Sequence, residues 1–86
     1  MGVDVDEENL RKHGVSPVDA RCAATTQMII AYPLGEDPVR ELVLGWDTQA
    51  RLLELVVLTR SDGSMKIIHA MPARPQYIDL LPWKES

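Results

Sequence analysis

A chain of 86 residues, 45% of them apolar, with a formal charge of −4, has room for one hydrophobic core, because domains of this size bury only about 60% of the surface their unfolded chains expose. That balance excludes a second domain and disfavours a general nucleic-acid coat protein, which draws its affinity from an excess of Lys and Arg, while leaving room for a local basic pocket on an acidic body. Apolar runs such as Leu55 to Leu58 are far shorter than the roughly 20 residues of a membrane-spanning helix, and Asp4, Asp6, Glu7 and Glu8 are unlike a secretory signal, so a cytoplasmic protein without membrane association is expected.

The first predicted element lies between Asp6 and Gly14: an acceptor side chain, acids in the first turn, Arg11 and Lys12 in the last, and glycine beyond form a full set of helix start and stop signals. Ser16-Pro17-Val18-Asp19 then reads as a hydroxyl N-cap, proline at the first helical position and a carboxylate in a variant capping box, which starts a second helix over about 17–25. Leu10, Val15, Val18 and Ala23 are expected to share one apolar side.

From Gln27 the texture changes to β-branched and aliphatic runs punctuated by turn residues, which predicts an antiparallel meander of four strands at 28–32, 39–46, 52–60 and 65–70. Asp62-Gly63 between two apolar runs is the clearest hairpin signal. A short helical turn over 76–81, stopped by Pro82, is expected to fold Tyr77, Leu80 and Leu81 back on the sheet. The expected fold class is therefore α+β: two N-terminal helices, a four-stranded antiparallel meander and a C-terminal helical turn, all in one domain over 1–86.

Read as one string, Glu8-Asn-Leu-Arg-Lys-His-Gly-Val-Ser16, then Arg51-Leu-Leu-Glu-Leu-Val-Val-Leu-Thr59, then Lys66-Ile-Ile-His-Ala70 resembles the BrnT-type toxins of bacterial toxin–antitoxin pairs. Members of that family carry an "ENxxKHGVS" helix end, an "xGRLLxVVYT" strand and a closing strand of the type "RIIxAR". The likeness spans roughly residues 6–75, and its first motif is the most specific. It implies a RelE-like ribonuclease fold, toxic activity against RNA, and a cognate antitoxin of ribbon-helix-helix or helix-turn-helix type. Family members have basic residues on the closing strand and an arginine after its alanine; here only Lys66 fits directly, Met71 follows Ala70, and Arg74 is the next guanidinium.

Ribonuclease chemistry of this kind needs a base for the 2′-OH, cations for the pentacoordinate phosphate and an acid for the 5′-oxygen. Lys66, His69, Arg74 and His13 are the catalytic candidates, with Arg60 and Tyr77 as RNA-binding candidates. Each has a plainer reading. Simple alternation puts His69 in an apolar row with Met65 and Ile67, away from Lys66, where a histidine of the core or sheet edge is equally natural. His13 suits the negative end of its helix dipole, and Arg74 and Tyr77 suit a solvated surface. Glu54 shares a face with Leu52, Val56 and Leu58, and a carboxylate there needs a partner, which favours a structural ion pair. Trp46 and Trp83 are assigned to packing, and Cys22 to a small apolar site.

No metal-ligand spacing, glycine-rich phosphate loop or cofactor motif occurs. Two function classes stand: a metal-independent endoribonuclease toxin, and a non-catalytic interaction module whose nuclease site has decayed, favoured by the charge of −4. RNA as substrate, an antitoxin as partner and self-association are the interactions considered.

Overall fold

The computed structural model describes residues 3–82, so the packing role expected of Trp83 lies outside the described residues. Helix α1 (Glu7–Lys12) begins where Asp6 accepts the Asn9 N–H at 3.1 Å, with Glu7 and Glu8 at its positive end and Arg11 and Lys12 at its negative end. Gly14, at φ 69°, ends it: the Val15 N–H returns to the Leu10 carbonyl at 3.0 Å and the Gly14 N–H to that of Arg11 at 3.2 Å. That pair of bonds is a Schellman closure, and it brings Val15 and Leu10 into the same core cluster. Ser16 then caps helix α2 (Pro17–Ala24) by accepting the Asp19 N–H at 3.1 Å.

The sheet differs from expectation. Besides β2 (Met28–Gly35), β3 (Val39–Trp46), β4 (Leu52–Thr59) and β5 (Met65–Pro72), the chain forms a first strand β1 (Val3–Val5) ahead of α1, and a third helix α3 (Pro75–Ile78) after β5. The order is β1-β5-β4-β3-β2, in which β1 pairs with β5 in parallel and the other neighbours are antiparallel. The predicted four-stranded, wholly antiparallel meander after two helices is therefore corrected to a five-stranded mixed sheet with three short helices. The physical reason is pairing at long range: three residues carry almost no periodicity, and Val3–Val5 becomes a strand only because β5 offers it an edge.

The two helices cover one face. Leu10, Val15, Ala20 and Ala23 pack with Val43, Leu53, Leu55, Val57, Ile67 and Ala70. Small residues on α2 allow a close approach, since a Cβ on Gly45 of β3 would stand 1.9 Å from the Ala23 carbonyl oxygen. Val18, expected on that apolar side, is instead 65% exposed. On the opposite face Leu42, Leu44 and Glu54 are also buried, and the segment after β5 returns across it, with the Tyr32 hydroxyl donating to the Leu80 carbonyl at 2.8 Å and Leu81 buried.

The connection between β3 and β4 is fixed by buried carboxylates. Asp47 accepts the N–H groups of Gln49 and Arg51 at 2.8 Å each and the Arg51 Nε–H at 2.7 Å, while Asp19 on α2 accepts from the Thr48 N–H and hydroxyl. The β4–β5 hairpin turns as its sequence suggests, with Gly63 at φ 89° and its N–H bonded to the Arg60 carbonyl at 2.9 Å. Among the described residues no helix is long and apolar enough to cross a membrane.

Candidate functional site

Glu54 lies between Leu53 and Leu55 on β4, both of which face the helices, so alternation turns its carboxylate to the opposite face, where it is 1% exposed. A carboxylate removed from water needs donors around both oxygens. Four are present. Arg74 gives its backbone N–H and Nε–H to Oε1 at 2.9 and 3.0 Å and its Nη2–H to Oε2 at 2.8 Å, and His69 Nε2 stands 3.2 Å from Oε2. Burial alone would raise the Glu54 pKa, but the Arg74 and His69 hydrogen bonds and the Arg74 charge outweigh it and hold the group below the ordinary carboxylate range. Hydrogen bonding to Glu54 correspondingly holds the Arg74 guanidinium more firmly protonated.

His69 reaches this carboxylate because β5 is irregular. Val56 is paired with His69 but Val57 with Ile67, so Ile68 is an extra residue on β5. A bulge of this kind shifts the alternation by one. It transfers His69 from the row of Met65 and Ile67, where regular alternation places it, to the face of Val56 and Glu54. Lys66, paired with Leu58, is on that face too.

The corner after α1 supplies the next group. His13 is the C-cap residue of α1, and its ring stands edge-on to that of His69 with centroids 5.5 Å apart and an interplanar angle of 72°. Asn9, one turn earlier, accepts the Ala70 N–H at 3.1 Å, which ties the helix to β5 beyond the end of β1. Arg74 in turn lies over the Tyr77 ring, Cζ 5.4 Å from its centroid.

Four of the six sequence-nominated residues, His13, His69, Arg74 and Tyr77, therefore converge around Glu54, which sequence reasoning assigned only a structural ion pair. The other two stand elsewhere. Arg60 donates to Asp4 Oδ2 and to the Ser64 hydroxyl, both at 3.0 Å, so its charge is matched by a carboxylate. Lys66 has Asp4 of β1 and Leu58 of β4 as strand partners, and its side chain enters no hydrogen bond or ion pair among the described residues. Arg40 was missed altogether. It is paired with Gly35 and Leu58, its Nε is buried without an acceptor, and a Cβ on Gly35 would meet its Nη2 at 2.6 Å. A polar residue interrupting the apolar row of Leu42 and Leu44 was the available signal.

Chemically, an ionised Glu54 can only accept, so it selects the His69 tautomer with the proton on Nε2 and leaves Nδ1 as a basic nitrogen. Arg74 spends Nε and one Nη on Glu54, which leaves its other Nη for an anion. Among the described residues no group of three His, Cys, Asp or Glu side chains is placed to hold a metal ion. No protein-family model, curated protein or solved structure matches the chain.

Proposed function

We propose that this protein is a metal-independent endoribonuclease of the BrnT-toxin type, acting on RNA in the cytoplasm and silenced by a cognate antitoxin. The observation that carries the reading is the edge-on pair of His13 and His69, with His69 hydrogen-bonded to buried Glu54 and Arg74 alongside. Two neighbouring imidazoles suit the two proton transfers of the reaction. One takes the 2′-OH proton as that oxygen attacks phosphorus; the other gives a proton to the departing 5′-oxygen, so a 2′,3′-cyclic phosphate and a free 5′-hydroxyl result. Arg74 is assigned the charge on the non-bridging phosphate oxygens.

The test is growth and bulk translation after induction of the protein alone, together with cleavage of RNA by purified protein in a metal chelator. Toxicity lost in His69→Ala and in His13→Ala, with both variants folded, supports the assignment. A second reading, a non-catalytic interaction module, is favoured by the ion pairs that already occupy Arg60 and Arg74 and by the charge of −4. Normal growth with abundant soluble protein, and no RNA cleavage, would decide for that reading.

A further inference from the structure

On the sheet face opposite the helices, cations fall into two groups. Arg60 and Arg74 are each bound to a carboxylate, Asp4 and Glu54 respectively. The side chains of Arg40 and Lys66 are not: neither enters an ion pair or hydrogen bond among the described residues, and Asp4, the strand neighbour of Lys66 on β1, is taken by Arg60. They stand in register, since Leu58 of β4 is the strand partner of both, so the three form one row across β3, β4 and β5. Two strand spacings separate the backbones of Arg40 and Lys66 by about 10 Å, and between them lies a half-buried apolar side chain, Leu58.

The setting of Arg40 is the more telling. Its guanidinium is laid against the backbone of Gly35, where any larger residue would displace it, and its Nε is removed from water with no acceptor. A structural arginine held in this way ordinarily has a carboxylate or carbonyl to meet its fork of donors. Here the cation is positioned and partly dehydrated yet unmatched, which favours an anion arriving from outside. The row also leads to the imidazole pair, because the bulge at Ile68 puts His69 on the same face of β5 as Lys66.

We infer that Arg40 and Lys66 form a binding row for two phosphates of a single-stranded RNA, with Leu58 as the apolar floor beneath the nucleotide between them. This rests on the ribonuclease reading for the identity of the strand, and it assigns to Lys66 a binding role in place of a catalytic one. Two separated phosphates fit better than one, since the Arg40 guanidinium leans toward Gly35 on β2 while Lys66 is on β5, two strands to the other side.

The experiment is fluorescence anisotropy of a labelled 2′-O-methyl oligoribonucleotide, which lacks the attacking hydroxyl and survives any nuclease, titrated with the full chain over a series of salt concentrations. Loss of one phosphate contact lowers the slope of log K against log salt by about 0.7 and, at about 50 mM salt, weakens binding roughly eightfold. Arg40→Ala and Lys66→Ala should each do so, Arg40→Lys should retain most of the affinity, and Arg21→Ala, an exposed cation on α2, should change nothing. Thermal melts establish that each variant is folded.

Wild-type protein with no salt-dependent binding overturns the inference, as does a loss on Arg21→Ala equal to that on Arg40→Ala. Cleavage of ordinary RNA by the wild type with Arg40→Ala binding unaltered overturns the row and leaves the nuclease reading standing. Arg40-dependent binding without any cleavage does the reverse: the row stands as a single-strand site, and the ribonuclease reading fails.

Discussion

Replacing Glu54 by Gln keeps the shape of the side chain and removes its charge. The native carboxylate accepts four hydrogen bonds, two on each oxygen, and the amide can accept at only one end. Its NH₂ must then face either the Arg74 N–H and Nε–H or the Arg74 Nη2–H and His69; the Arg74 groups only donate, and His69 can accept only by moving its proton to Nδ1. Hydrogen bonds to charged groups contribute about 1.5–3 kcal/mol each. One or two are lost here and the remaining ones lose the charge, but the Arg74 side chain is 47% exposed and can rotate into water, so a total of about 2–4 kcal/mol is expected. A domain of this size shifts its Tm by about 4–8 °C per kcal/mol, which gives a drop of roughly 8–32 °C at neutral pH. The difference should also shrink in acid. A carboxylate whose folded pKa is depressed contributes above its unfolded value, about 4.3 for Glu, and that contribution is lost as pH falls through the lower folded value. Melts of the two proteins by circular dichroism from pH 7 to pH 2 measure both effects. A drop of only a degree or two at pH 7, or a gap that persists unchanged at pH 2, would refute the claim that the ionised carboxylate holds this segment.

Asp19, where hydrogen bonds from Thr48 dominate, and Asp47, where those from Arg51 and Gln49 overcome burial, are likewise held below the ordinary range; with Glu54 they should keep Tm flat above about pH 5 and let it fall steeply below about pH 4. Gly45→Ala sets a Cβ against the Ala23 carbonyl at 1.9 Å, so α2 must lift from the sheet; a loss at or above the usual 1–3 kcal/mol of overpacking is expected, measured by chemical denaturation. Gly14→Ala meets nothing within 4 Å and suffers only the left-handed backbone, so it should cost about 1–2 kcal/mol in the same assay.

Local chemistry was legible in the chain and long-range pairing was not. Asp6, Gly14, Ser16 and Pro17 act within four residues of themselves, and the structure places α1 and α2 between those very signals. Val3–Val5 depends on β5, more than sixty residues away, and its three residues hold no period to detect. His69 was assigned to the wrong face because a strand with Ile68 inserted cannot be told from a regular one by composition; only the register with β4 reveals it. Glu54 was recognised as needing a partner, yet nothing near it in sequence identified Arg74, whose loop geometry is fixed by the fold. Arg40 carried the weakest signal, one charge in an apolar strand row, and its unmatched state exists only in three dimensions.

The arrangement around Glu54 follows from these same long-range features acting together. β4 supplies a buried carboxylate, the bulge on β5 turns His69 toward it, the Schellman corner after α1 presents His13, and the chain beyond β5 brings Arg74. Three of these contacts would be lost separately by a register slip, a lengthened helix or a displaced C-terminal segment, so the cluster forms only in the complete fold. A carboxylate in this place is a poor choice for stability alone, because an apolar residue of similar volume would avoid its desolvation, and buried ion pairs are commonly neutral or worse against such replacements. Arg74 on the surface would lose little. What Glu54 provides that leucine cannot is a fixed tautomer and orientation for His69, with a guanidinium held beside it, which is what the proposed proton transfer calls for.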